Sequence, residues 1–188
     1  MGGGKTTLAV SLLSSKNNVK LISEDSPLID RQGRLLPFPI RIGMHPADVP
    51  ARIPEEYRRY FERDEFGPKI LIDTDYFKDR ICTAPCDPGI IIIGKRVIGK
   101  PPEIKPVSKS AALKELVKNS VIGLGLYQGI EYLFQKSPAE LFTKVPLALS
   151  RLNNGIKLIN KCRAFEFSLS PDHEGNSRVL EQFIESIR

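Results

Sequence analysis

Short runs of apolar, mostly β-branched residues recur along the chain and predict its β-strands. Continuous runs of this kind are typical of strands covered on both faces, as in an α/β sheet. Because Pro37 and Pro39 cannot donate to a ladder, residues 33–42 predict only short strands at an edge or a turn. The main candidates are residues 19–23 (VKLIS), 69–73 (KILID) and 89–96 (GIIIIGKR), followed by 104–107, 156–160 and 164–169.

Capping residues and amphipathic patterns predict the helices. Ser108 is a good N-cap, and an apolar run follows the glycines at the start of the chain. These signals predict helices over residues 7–13 and 108–118. Apolar patterns predict two more helices, over residues 124–135 and 177–187.

Proline marks a further helix and one irregular region. Pro138 stands at a favourable first helical position, and we expect that helix to bend at Pro146. Residues 153–155 (NNG) should end it. Four prolines between residues 44 and 68 predict a surface excursion, with one short helix in the charged stretch 55–65.

Together these elements predict one α/β domain over residues 1–188, with a mixed β-sheet and flanking helices. The 188 residues are 41% hydrophobic and 27% charged, as in soluble globular proteins. The longest apolar stretch, residues 90–93, is far too short to cross a bilayer, so we expect no membrane partner and a cytoplasmic location. Three loosely spaced cysteines favour reduced thiols over a zinc site or a disulfide framework.

The formal net charge of +6 favours anionic partners. Residues 57–63 interleave tyrosines with arginines, which would suit stacking on nucleic acid. Acidic residues at helical spacing favour an ion-paired surface helix there instead, so nucleic acid is not the expected partner. Scattered basic residues are usually solvated, but four of them are candidates to hold phosphates: Arg41, Lys95, Arg96 and Lys100.

The first residues of the chain match the second half of a phosphate-binding loop, G-x-x-x-x-G-K-[ST], also known as Walker A. Lys5 would contact the β- and γ-phosphates of a nucleotide, and the Thr6 hydroxyl would bind Mg²⁺. The helix that starts at Thr7 would receive the phosphates at its N-terminus. The glycines that let the backbone turn its N–H groups toward an anion are Gly2, Gly3 and Gly4.

Two other interpretations overlap this motif. Residues 1–6 also fit the myristoylation pattern M-G-x-x-x-[ST], and a glycine-rich disordered start would have the same composition. The phosphate loop accounts for more of the residues, because an apolar helix follows it at the right place. Its first glycine and preceding strand would lie before Met1, so we expect an N-terminally truncated motif.

Carboxylates at strand ends are the second chemical feature. Glu24 and Asp25 follow the predicted strand 19–23, where Mg²⁺ and the attacking group of a phosphate-loop enzyme are handled. One acid could hold the metal while the other takes a proton from a hydroxyl. A simple polar strand end is the alternative. Asp73, which ends KILID, is a competing metal ligand.

The order of these segments resembles the HPr serine kinase-like family, in the superfamily that contains phosphoenolpyruvate carboxykinase. Members place a phosphate loop and helix before a strand that ends in paired acids, commonly Asp-Asp. The matching segments are residues 2–13 (GGGKTTLAVSLL), 19–29 (VKLISEDSPLI), 33–39 (GRLLPFP) and 165–172 (FEFSLSPD), the last followed by Asn176 and a terminal helix.

The resemblance implies a phosphate-loop fold and a kinase that uses Mg²⁺ and ATP. The acceptor would be a serine hydroxyl in a protein or peptide. Glu24 and Asp25 would then serve as general base and metal-side carboxylate, with Thr6 and Asp25 as metal ligands. Asp73 stays a further candidate metal ligand on its strand pattern alone.

Two other functional classes stay open. One is a non-catalytic nucleotide-binding module or truncated remnant that regulates a partner. The other is a basic nucleic-acid-binding protein, whose affinity would fall steeply with salt and would not depend on Lys5. A homo-oligomer is compatible with either class and with the kinase.

Overall fold

The computed structural model describes residues 4–14, 19–24, 27–62, 67–118 and 138–187, and these form an α/β protein with several small sheets and helices. The helices are α1 (Lys5–Ser14), α2 (Lys109–Leu116), α3 (Pro138–Lys161) and α4 (His173–Ser186). The strands are β1 (Leu28–Ile29), β2 (Leu35–Leu36), β3 (Ile42–Met44), β4 (Arg58–Phe61), β5 (Lys69–Ile72), β6 (Ile90–Arg96), β7 (Glu103–Pro106) and β8 (Arg163–Leu169).

A mixed sheet of three strands, in the order β6-β8-β7, forms the centre of one half of the molecule. β6 runs parallel to β8, with Ile90 opposite Arg163, whereas β7 runs antiparallel to it. The predicted strands at 89–96, 104–107 and 164–169 are therefore confirmed. Residues 104–107 pair with β8 and not with the isoleucine run, because β8 lies between the two strands.

Helices cover both faces of this sheet because the side chains of β8 alternate. Ala164 packs with α2 and α3, through residues that include Ala112 and Leu158. Phe167 points to the other face and packs with Leu180 of α4 and Leu8 of α1. The continuous run of isoleucines in β6 follows from this, since neighbouring residues of a strand face opposite sides and both sides are apolar here.

The strand predicted at 69–73 forms, but it belongs to a separate antiparallel sheet with the order β3-β5-β4. Its apolar core contains Ile42 and Ile72 from the strands and Val10 and Leu13 from α1. The predicted mixed sheet therefore does not include this run. An apolar strand of four residues carries no information about which neighbours it pairs with.

The helix predicted within residues 55–65 is also wrong. A single 3₁₀ turn (Glu55–Tyr57) leads directly into strand β4, which pairs along its length with β5. Arg58 donates to the carbonyl oxygens of Pro50 and Ile53 instead of pairing with a nearby glutamate. Pairing with β5 and the hydrogen bonds of Arg58 therefore favour a strand here, although the spacing of the charges is typical of a helix.

Residues 19–23 make two isolated bridges instead of the predicted regular strand. Leu21 bridges Ile81, and Ser23 bridges Phe38, both in parallel orientation. Leu21 is buried with α1 and the antiparallel sheet, so the apolar pattern did identify a core segment. Short strands within 33–42 are confirmed in part, by β2 and by the beginning of β3 at Ile42.

The end predicted for α3 at residues 153–155 is wrong, as is the strand predicted at 156–160. α3 includes Pro146 and continues to Lys161. Gly155 is buried, and a Cβ there would lie 3.0 Å from the Leu116 side chain. This glycine lets α2 and α3 approach closely and does not terminate the helix. The start at Pro138 is confirmed.

Ser108 caps α2 as predicted, since its hydroxyl accepts from the Ala111 N–H. The last helix begins earlier than residue 177, because Asp172 accepts from the Gly175 N–H and caps α4 there. The helix predicted at 124–135 lies outside the described residues. Among the helices of the described segments, none is both long enough and apolar enough to span a bilayer.

Candidate functional site

The predicted phosphate loop leads directly into helix α1. Gly4 has a positive φ of 69°, which favours glycine, and its carbonyl oxygen accepts from the Leu8 N–H at 3.0 Å. A Cβ at Gly4 would meet no atom within 4 Å, so space is open beside the loop. Lys5 is exposed at the first helical position. Gly2 and Gly3 lie outside the described residues.

Thr6 and Glu24, 18 residues apart in the chain, meet at the start of α1. The Thr6 hydroxyl donates to Glu24 Oε1 at 2.5 Å, in a half-buried position. The bridges of Leu21 and Ser23 to other segments hold the backbone that carries Glu24. The structure thus brings Thr6, a predicted Mg²⁺ ligand, against Glu24, one of the two predicted catalytic acids.

Ser23, next to Glu24, carries a polar atom without a partner. Its Oγ is buried and makes no hydrogen bond within the described residues. Buried hydroxyls are normally hydrogen-bonded, so the Ser23 hydroxyl has unused hydrogen-bonding capacity next to Glu24.

The other predicted residues lie apart from this pair or outside the described part of the chain. Asp73 accepts from the Asp75 N–H and caps a 3₁₀ helix, Thr74–Arg80, so its carboxylate has a structural role. Thr7 is half-buried and faces a groove between α1 and α4 that Glu174 also lines. Asp25 lies outside the described residues. The described segments contain no group of three or more His, Cys, Asp or Glu residues that could hold a metal ion.

Two cavities are lined by residues of interest here, one by Glu24 and the other by Gly4. One, of about 710 Å³, is lined by Ser23 and Glu24 and by apolar residues that include Leu116 and Leu158. The other, of about 400 Å³, is lined by Gly4, Arg96 and the turn that precedes α4. The start of α1 therefore borders the smaller cavity directly through Gly4, and Thr6 contacts Glu24, which lines the larger one.

Arg96 is the one of the four basic candidates that lines the cavity beside Gly4. Lys95, its neighbour, forms an ion pair with Glu166 at 2.5 Å, and that hydrogen bond raises the pKa of Lys95. The turn at residues 170–173 also lines this cavity and was missed by the sequence reasoning about the site. The signal available for it was the cap sequence Ser-Pro-Asp before the last helix.

Of the three cysteines, Cys162 lines the larger cavity and none lines the smaller one. All three are free thiols. Burial raises the pKa of Cys162, which packs in the core between α2 and α3, and desolvation also raises that of Cys86. Thiols whose pKa is raised stay protonated at neutral pH and are poor nucleophiles.

Comparisons with known proteins add no relative: no family model matches the chain, and neither the curated proteins nor the solved structures contain a match. Function is therefore inferred from the residues and the geometry described above.

Proposed function

We propose that this chain is a phosphotransferase that binds Mg²⁺-ATP and transfers the γ-phosphate to a serine hydroxyl of a protein or peptide. The contact between Thr6 and Glu24 is the observation that carries the proposal. A threonine that follows Gly-Lys at the start of a helix, with a carboxylate against its hydroxyl, is the arrangement expected for binding the metal of a nucleotide. The sequence resemblance supports the choice of a serine acceptor.

The residues present fit a nucleotide with its metal. The first turn of α1 offers N–H groups to the phosphates, and Lys5 is exposed there to neutralise their charge. Thr6 and Glu24 would hold Mg²⁺, which keeps most of its shell as water and phosphate oxygen and needs few protein ligands. The ion, when bound, would neutralise charge that develops on the transferred group.

The two acids divide naturally between metal and acceptor. Since Glu24 contacts Thr6, we assign Glu24 to the metal side, where the sequence had favoured Asp25. Asp25 is then left to accept the proton of the serine hydroxyl. In the transfer, the serine Oγ–P bond forms, the bond between Pγ and the β–γ bridging oxygen breaks, and ADP leaves with that oxygen.

The larger cavity, on the Glu24 side, is the space in which we place the acceptor segment. Its lining is mostly apolar, with Arg151 and Asn154 as polar residues on one wall. An apolar lining with few polar groups is typical of sites that bind an organic ligand in one orientation.

Melting with and without ligand tests the nucleotide site. Mg²⁺-ATP at about 100 times its Kd should stabilise the chain by about 2.7 kcal/mol, a Tm increase of roughly 5–11 °C at this size. Lys5→Ala should abolish the shift, whereas Lys78→Ala, which replaces an exposed lysine outside both cavities, should keep it. Absence of a shift in the native chain would contradict the proposal.

Replacement of Thr6 tests the metal assignment. Thr6→Val keeps the shape of the side chain but removes the hydroxyl. The affinity for ATP in the presence of Mg²⁺ should therefore fall by about 10- to 100-fold. Thr6→Ser keeps the hydroxyl and should bind as the native chain does. Isothermal titration at several Mg²⁺ concentrations measures the ATP affinity of both variants. Equal affinities would contradict the assignment of Thr6 as a metal ligand.

Phosphate transfer to an array of serine peptides, with ATP labelled at the γ-position, separates a kinase from a regulatory module. Asp25→Asn should bind Mg²⁺-ATP normally and transfer no label. A native chain that binds Mg²⁺-ATP and labels no peptide would favour the non-catalytic nucleotide-binding module.

Nucleic-acid binding is the second candidate, and strand β4 is the observation that favours it. Arg59, Tyr60 and Phe61 are all exposed on this strand, and Tyr60 exposes 62% of its surface. Exposed aromatic and basic side chains are the groups that stack on single-stranded bases. Binding of a labelled oligonucleotide should then weaken with salt, be reduced in Tyr60→Ala and be unaffected by Lys5→Ala.

A further inference from the structure

The smaller cavity faces the opposite side of α1 from the Thr6–Glu24 pair. Gly4 and Leu8 line it and lie one helical turn apart, on the same face. Thr6 is two residues from each of them, which places it roughly 200° around the helix. A ligand bound at the start of α1 can therefore reach Glu24 with one end and this cavity with the other.

The composition of the cavity wall suits an organic group more than a phosphate. Leu8, Val97, Leu169 and Pro171 supply apolar surface, and Arg96 adds a cationic side chain. Its volume of about 400 Å³ falls in the range of small-molecule sites, roughly 300–1,000 Å³. Apolar walls with a few polar groups are what a base and a ribose require.

The wall formed by the turn before α4 is rigidly held. Asn176 is only 3% exposed, and its side-chain amide donates to the Ser170 carbonyl oxygen at 2.8 Å. Its Oδ1 accepts from the Ser170 N–H at 3.0 Å. Because one buried side chain holds both backbone polar groups of residue 170, this wall is already in place before a ligand arrives.

We propose that this cavity binds the nucleoside half of the nucleotide, with the phosphates crossing the start of α1 from Gly4 to Thr6. The inference rests on the proposed function and specifies how the ligand is oriented. It assigns Arg96, Val97 and His173, which sequence motifs did not select as a group, to the wall that contacts base and ribose.

Tryptophan scanning provides the test, because the chain contains no tryptophan. Ile98 lines the cavity and is 90% exposed, so Ile98→Trp places a fluorophore at the rim without disturbing the core. Leu149→Trp is the matched control, since Leu149 is exposed on α3 and lines neither cavity. Each variant is titrated with Mg²⁺-ATP and with Mg²⁺-tripolyphosphate, which has the phosphates but no nucleoside.

A second variant measures affinity. Val97→Phe narrows the cavity and should weaken Mg²⁺-ATP binding by at least about tenfold, a loss of about 1.4 kcal/mol. Tripolyphosphate, which does not enter the cavity, should bind Val97→Phe and the native chain equally. If Val97→Phe does not fold, the titration of Ile98→Trp decides alone.

The expected result is a saturable change of Ile98→Trp emission with Mg²⁺-ATP, none with tripolyphosphate, and none in Leu149→Trp with either. Equal responses of Ile98→Trp to both ligands would place phosphates in the cavity and overturn the inference. Binding of Mg²⁺-ATP by melting, with unchanged Ile98→Trp emission, would overturn it and leave the proposed function standing. If the native chain binds neither ligand, the proposed function fails and the inference with it.

Discussion

Gly33 and Gly99 have almost the same backbone conformation and very different surroundings. Their φ angles are 77° and 76°, in the region that favours glycine. A Cβ on Gly99 would meet no atom within 4 Å, whereas one on Gly33 would lie 3.0 Å from the backbone of Lys157 and Leu158 in α3. Substituting each glycine therefore measures the effect of backbone strain alone at Gly99 and of strain together with a steric clash at Gly33.

We expect Gly99→Ala to lower the free energy of unfolding by about 1–2 kcal/mol, the cost of a left-handed conformation. Gly33→Ala should cost about 2–5 kcal/mol, because the clash with helix backbone adds to that strain. Urea denaturation of the two variants beside the native chain measures both values. Equal losses would mean that α3 shifts away from the turn without cost.

At the scale of elements, the turn between β8 and α4 depends on one buried amide. Asn176 lies in the first turns of α4 and reaches back to Ser170, just after the central strand of the mixed sheet. Asp172 caps the same helix. These contacts fix how the last helix leaves the sheet and shape the wall of the smaller cavity.

Asn176→Ala should lower the free energy of unfolding by about 2–4 kcal/mol, since it leaves the N–H and carbonyl of Ser170 without their partner. Gln182→Ala, at an exposed position of the same helix, should stay within about 0.5 kcal/mol of the native chain. Chemical denaturation measures both. A loss for Asn176→Ala no larger than that of the control would mean that water satisfies the turn.

At the scale of the whole molecule, α1 joins two apolar cores. Val10 and Leu13 are buried against the antiparallel sheet, whereas Leu8 and Leu12 pack against the mixed sheet and α4. The helix that carries the proposed phosphate loop is thus also the element that both sheets share. Ligand binding at its start should stabilise both halves together.

Val10→Ala should therefore destabilise the whole described fold and not one sheet alone. Val10 is 1% exposed, so the free energy of unfolding should fall by about 1.5–3 kcal/mol, which corresponds to a Tm decrease of roughly 3–12 °C. Leu149→Ala, which removes an exposed side chain, is the control. Melting followed by far-UV circular dichroism and by tyrosine fluorescence should give coincident transitions. Separate transitions would show that α1 does not couple the cores.

Apolar runs and caps identified most of the elements, because they depend on neighbours in the chain. The isoleucine run of β6 and the Ser108 cap of α2 are examples. The errors fall where distant residues decide the outcome. Gly155 has the composition of a helix end but lies inside α3, since the contact with Leu116 required a residue without a side chain.

For the site, the sequence by itself determined which residue types could bind phosphate and metal, because glycine, lysine, threonine and carboxylate chemistry is local. Only the tertiary structure decided which of them meet. Glu24 contacts Thr6, whereas Asp73 caps a 3₁₀ helix, although both follow apolar runs of similar pattern. The cavity beside Gly4 is likewise tertiary, because its walls come from α1, β6 and the turn before α4. No spacing rule along the chain relates residues 4, 96 and 173; only their packing around β8 does.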